Sequence, residues 1–147
     1  PDPPHLPNAM NLPSRLAVLS LVSLPILTGC MHSGSTRTVT QSDNGSTITL
    51  SRHDRLEIQL PGNPSTGYSW QTVKINSWVL APLGRPNFVS GSTGTNGSPL
   101  IGAGGTFTMS YEAVGAGTCP IELSYTRPWI PETSPSQTFQ ITVNVSK

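Results

Sequence analysis

Charge is scarce in this sequence: eight Lys or Arg against seven Asp or Glu leave a formal net charge of +1 over 147 residues. With no basic cluster to neutralise phosphates, a nucleic-acid partner is not expected. Histidine is equally sparse, and from residue 47 onward the only one is His53, next to Asp54. Adjacent residues on a turn seldom converge on one substrate, so the pair reads as a solvated turn and not as catalytic machinery. A zinc site needs several His, Cys or carboxylate ligands, which the chain does not supply, and no metal or other cofactor is expected. Cysteine is limited to Cys30 and Cys119. No apolar run is long enough to cross a bilayer: the longest, from Leu16 to Leu27, has about twelve residues where a span needs about 20. Nowhere does a helical period persist.

Glycine and proline, by contrast, are abundant, 14 and 15 residues, alongside much Ser and Thr. That composition suits short strands and many turns in one domain of ordinary size. The Leu16 to Leu27 segment, preceded by Arg15, has the layout of a signal-peptide core. Its end, Leu27-Thr28-Gly29-Cys30, resembles the lipobox of bacterial lipoproteins. The resemblance implies cleavage before Cys30, a lipid on its thiol and attachment to a membrane of the cell envelope. Met31 and not Asp follows, so the outer membrane, facing the periplasm or the exterior, is the expected site. The expected organisation is therefore an upstream extension and signal peptide over 1–29, a flexible Ser/Thr/Gly-rich tether over 30–46, and a folded domain over 47–147. Cys119, left without a partner in apolar surroundings, reads as a small buried residue.

Within the domain, apolar residues alternate with polar ones: Leu56, Ile58, Leu60; Phe107, Met109, Tyr111; Ile121, Leu123, Tyr125; Phe139, Ile141, Val143, Val145. Period two marks half-buried strands. Seven are expected, near 46–51, 54–60, 67–74, 78–89, 104–113, 117–126 and 136–146. The third and fourth are the weakest patterns, with Trp70 and Trp78 expected to bury their rings. Seven short strands separated by turns fit an all-β, immunoglobulin-like antiparallel sandwich, with Trp70 as the candidate core ring and a small open barrel as the alternative.

If consecutive strands alternate in direction, the turns after the second, fourth and sixth emerge at one end. They hold the least ordinary sequence in the chain: Asn63-Pro64-Ser65-Thr66-Gly67-Tyr68, Gly102-Ala103-Gly104-Gly105 and Arg127-Pro128-Trp129. Each has a plain reading. Asn-Pro with a following Gly is a competent turn, and a Gly-rich loop can be slack. Phosphate binding by the glycines would require a helix N-terminus, whereas a strand follows. A Trp between Pro128 and Pro131, outside any alternating stretch, reads instead as an exposed interface residue. Three loops on a rigid scaffold form a binding surface.

Together the three motifs resemble the chagasin family of cysteine-protease inhibitors, in order and in spacing, over nearly the whole domain. The resemblance implies a reversible inhibitor that occludes the cleft of papain-like cysteine proteases; the chain itself is expected to be a monomer. Gly102, Ala103, Gly104 and Gly105 would be the central wedge. Asn63, Pro64, Ser65, Thr66, Gly67 and Tyr68 would form one flank, and Arg127, Pro128 and Trp129 the other. Ser65 stands where Thr is commoner, and Leu100-Ile101 precedes the glycines where the family often has Pro. A lipid-anchored adhesion or carbohydrate-binding module is the alternative, but it predicts aromatic residues along a sheet face and not at one end.

Overall fold

Alternation along the later strands does what its period demands. Phe107, Met109, Tyr111 and Ala113, then Cys119, Ile121, Leu123 and Tyr125, then Phe139, Ile141, Val143 and Val145 are all buried, while their neighbours are not. They meet Leu56, Ile58 and Leu60 and the fully buried Trp70 in a single core. A computed structural model describes Pro4 and residues 34–94, 96–98, 100, 102–130 and 135–147. The expected signal-peptide core over 16–27 and Cys30 lie outside the described residues. His32–Lys147 is one folding unit.

The strands are β1 Thr36–Thr40, β2 Thr47–Ser51, β3 Arg55–Gly62, β4 Ser69–Lys74, β5 Leu80–Pro82, β6 Asn87–Ser90, β7 Gly105–Ala113, β8 Gly117–Thr126 and β9 Gln137–Ser146. One sheet runs β1-β3-β7, with β5 and β6 sharing the far edge of β7; the other runs β2-β9-β8-β4. The result is the all-β, immunoglobulin-like sandwich.

Several details differ from the sequence expectation. The stretch expected to be tether contains β1, which pairs parallel with β3 and fully buries Val39. One hydrophobe in Thr-Arg-Thr-Val-Thr cannot display a period, so the strand is held mainly by its ladder and by Asp54. That side chain is buried and accepts from Ser35 N at 2.7 Å, Ser35 Oγ at 3.0 Å and Ser51 N at 2.7 Å. The His53–Asp54 turn is thus a structural joint and not merely solvated, although His53 itself is exposed, 3.6 Å from Glu112. Pairing is not wholly antiparallel. The chain crosses from the first sheet to the second between β1 and β2 through a short 3-10 turn, Gln41–Asp43, and Gly45 at φ 81°, and β2 then runs parallel to β9. The expected strand over 78–89 is two, because Pro82 and Pro86 cannot donate to a ladder and Gly84 turns the chain at φ 81°. Trp78, expected in the core, is 87% exposed. It sits in a turn closed by Val79 N and Leu80 N on Asn76 O, at 3.0 and 2.9 Å, and the buried places go to Val79 and Leu80.

Candidate functional site

Gly62 pairs with Gly105 at one end of the first sheet, and Thr126 pairs with Ser69 at the same end of the second. The three unusual loops leave from these positions and are joined to one another. Asn63 Nδ2 donates to Gly102 O at 2.9 Å. Arg127 Nε donates to Thr66 O at 3.3 Å, and its guanidinium lies 4.4 Å from the centre of the Tyr68 ring, a cation–π contact. The Trp129 indole lies over Gly67: a Cβ there would come within 2.8 Å of Trp129 Cζ2.

The Asn63 loop is internally locked. Asn63 Oδ1 accepts from Ser65 N at 3.1 Å and Ser65 Oγ at 2.7 Å, and Thr66 Oγ1 donates to Asn63 O at 2.6 Å. Pro64–Thr66 makes one 3-10 turn, ended by Gly67 in the left-handed region at φ 83° with its N–H on Pro64 O at 2.9 Å. Pro64, Ser65 and Thr66 lie on its tip, with Ser65 and Thr66 exposed. This loop connects β3 of one sheet to β4 of the other, whereas the glycine loop joins β6 to β7 within the first sheet and Arg127–Trp129 joins β8 to β9 within the second. The middle position therefore belongs to the Asn63 loop, correcting the expectation that the glycines form the central wedge. Sequence order could not show this, because it depends on which loop crosses between sheets.

The other expected residues divide by role. Gly102, exposed at φ 86°, and Gly104 stand at the loop surface, with Ala103 N bonded to Leu100 O at 3.2 Å. Gly105 is a packing residue: a Cβ would strike Val89 O and come within 2.7 Å of Phe88 Cζ. Tyr68 and Arg127 are half-buried and join loops together. Pro128 and Trp129 project, the indole 68% exposed, in a turn closed by Ile130 N on Arg127 O at 3.1 Å.

Sequence reasoning missed Tyr125, which reads as one more alternating strand residue. Its hydroxyl accepts from Asn63 N at 2.7 Å and lies 3.3 Å from Asn63 O, fixing the start of the middle loop. Its ring stacks on Tyr68 at 5.3 Å, packs against Trp70 at 5.2 Å and meets the edge of Phe107 at 6.3 Å. Trp70 Nε1 donates to Pro61 O at 3.0 Å. The available signal was a polar tip on a core ring, because a buried Tyr hydroxyl almost always takes a partner.

A sequence profile described as chagasin family peptidase inhibitor matches residues 49–143, from β2 to β9, and so contains all three loops. This chain belongs to the chagasin family. Chagasin of Trypanosoma cruzi is 34% identical to it over 103 residues, 70% of this chain and 92% of that protein. Amoebiasin-1 of Entamoeba histolytica is 34% identical over 107 residues, 73% of this chain and 97% of that one. Among solved structures, a cysteine protease inhibitor from Entamoeba histolytica superposes with TM-score 0.64 at 24% identity, covering 76% of this chain and 96% of that one, a likeness of fold. The chagasin-family chain is thus a peptidase inhibitor by membership and not an enzyme. Its β1 lies before the matched residues.

Proposed function

We propose that this chain inhibits papain-like cysteine proteases reversibly and competitively, with the Asn63 loop seated over the catalytic Cys–His pair. The glycine loop and the Arg127–Trp129 turn close on either side. The observation that carries this reading is the bonding of three exposed loops into one edge, Asn63 Nδ2 to Gly102 O on one side and Arg127 Nε to Thr66 O on the other. Loops held in their binding geometry lose little entropy on association. Resistance to cleavage has the same origin. A protease cuts a peptide laid out extended in near-attack geometry, whereas Pro64–Thr66 is a 3-10 turn stopped by a left-handed glycine.

Titration of papain with a small fluorogenic substrate tests the proposal: inhibition that substrate relieves is expected, with trypsin unaffected. Trp129→Ala should weaken binding by about 2 kcal/mol, roughly thirtyfold, as for an exposed aromatic hot spot. Its thermal stability should stay unchanged. Absence of inhibition across papain-like enzymes at micromolar concentration would overturn the reading.

The mature chain, on the strength of Leu27-Thr28-Gly29-Cys30, begins at a lipidated Cys30 and is held in the bacterial envelope, at the outer membrane. Cys30→Ala should leave the membrane fraction and still inhibit. Persistence of that variant in membranes after a high-salt wash would refute the anchor.

A further inference from the structure

The end of the sandwich opposite the loops carries a second set of features that inhibition does not use. Chain entry is there. A Cβ on Gly34 would strike His53 O, Ser35 N donates to Asp54, and Arg55 N donates to Ser35 O at 2.7 Å. The Val114–Gly115 turn is bonded to this end from two sides. Arg52 Nε donates to Val114 O at 3.0 Å, and Val114 N donates to Val79 O at 2.9 Å. Gly115 lies so close to Trp78 O that a Cβ would collide with it. Trp78 thus stands at the same end of the sandwich as the chain's entry point, across the sheet from it on the β5 side, and it is the most exposed of the large hydrophobic residues described, at 87%. Arg52, Arg55 and Lys147 are exposed at the same end, where Ser51 pairs with Ser146. The acids there are engaged: Asp54 is buried and accepts hydrogen bonds, and Glu112 faces His53.

Because β1 begins at Thr36, the tether is short. Four Cα–Cα steps separate Cys30 from Gly34, a reach of at most about 15 Å. The loops lie a full β3 away, eight residues or roughly 23 Å. We propose that this end is a membrane-facing surface, with Trp78 at headgroup level, the cationic residues over anionic lipid, and the inhibitory loops held away from the bilayer. The proposal rests on the lipid-anchor reading of Cys30. An exposed Trp and exposed Arg and Lys presented at one end is the composition that settles at a membrane interface.

The test uses the full chain, lipidated in a bacterial host and reconstituted into vesicles of phosphatidylethanolamine and phosphatidylglycerol. A parallel set carries bromine near the carbonyl end of the acyl chains, which quenches only indoles in contact with lipid. Trp129→Phe keeps Trp78 and the fully buried Trp70; Trp78→Phe keeps Trp129 and Trp70. Loss of emission in brominated vesicles for Trp129→Phe, with none for Trp78→Phe, is expected. Vesicle-bound protein in which Trp129→Phe is not quenched, or both variants are quenched alike, overturns the orientation. Protein that does not float with the vesicles overturns the lipid anchor and the orientation with it, and flotation separates this failure from the other.

Discussion

Gly67→Ala perturbs the inhibitory edge through a single methyl group. Two costs arise, and they separate. The first is backbone strain: Gly67 has φ 83°, where a side chain costs about 1–2 kcal/mol. Gly45 has φ 81° with nothing within 4 Å of the place a Cβ would occupy, so Gly45→Ala measures that strain alone. The second is collision with Trp129, 2.8 Å from Cζ2 and 2.9 Å from Cη2, with Arg127 Nε at an ordinary 3.8 Å. Only the far edge of an exposed indole is struck, so the ring swings aside at little cost to folding. Both alanine variants should therefore lower the melting temperature similarly, by about 4–8 °C for each kcal/mol. Inhibition should divide them: Gly45→Ala keeps it, whereas Gly67→Ala displaces the indole and weakens binding at least tenfold, about 1.4 kcal/mol. In a Trp129→Ala background there is no ring to displace, and Gly67→Ala should add little further loss. Inhibition constants against papain and denaturation curves for these single and double variants decide it. If the affinity losses of Gly67→Ala and Trp129→Ala add in full, the two do not act through the same contact, and the packing of Trp129 on Gly67 is not what sets the indole for binding.

Tyr125→Phe leaves Asn63 N–H without its partner and should cost about 1–3 kcal/mol of stability in denaturant titration while also weakening inhibition; an unchanged inhibition constant would show that the hydroxyl does not organise the loop. Burial raises the Tyr111 pKa above 10.0, against a lowering by its hydrogen bond to Thr72. Its contribution is therefore fully present below pH 10 and is lost as pH rises from there through the folded-state value, because the unfolded chain ionises first; the stability should fall by up to about 1.4 kcal/mol per pH unit, and Tyr111→Phe should flatten that slope. Cys119 is free and fully buried, accepting from Asn76 N at 3.2 Å, so melting temperatures with and without reductant should coincide; a drop on reduction would reveal a bridge to Cys30 or to another chain.

The sequence by itself determined the later strands, the core and the content of the loops. Period two reports a face directly, and runs such as Phe139, Ile141, Val143 and Val145 carry enough hydrophobes to define one. Parity then brought the three motifs to one end. Tertiary structure decided what no local pattern encodes. β1 has one apolar residue and lives on its ladder with β3 and on the hydrogen bonds of a buried Asp54. Trp70 and Trp78 look alike in sequence, yet one is fully buried and the other 87% exposed, because a turn on Asn76 hands the core to Val79 and Leu80. The Asn63 loop takes the middle of the edge because it crosses between sheets, and Tyr125, 62 residues along the chain, holds its backbone. These outcomes rest on contacts between residues far apart in sequence, and a hydrogen bond or a cross-sheet connection leaves no periodicity behind.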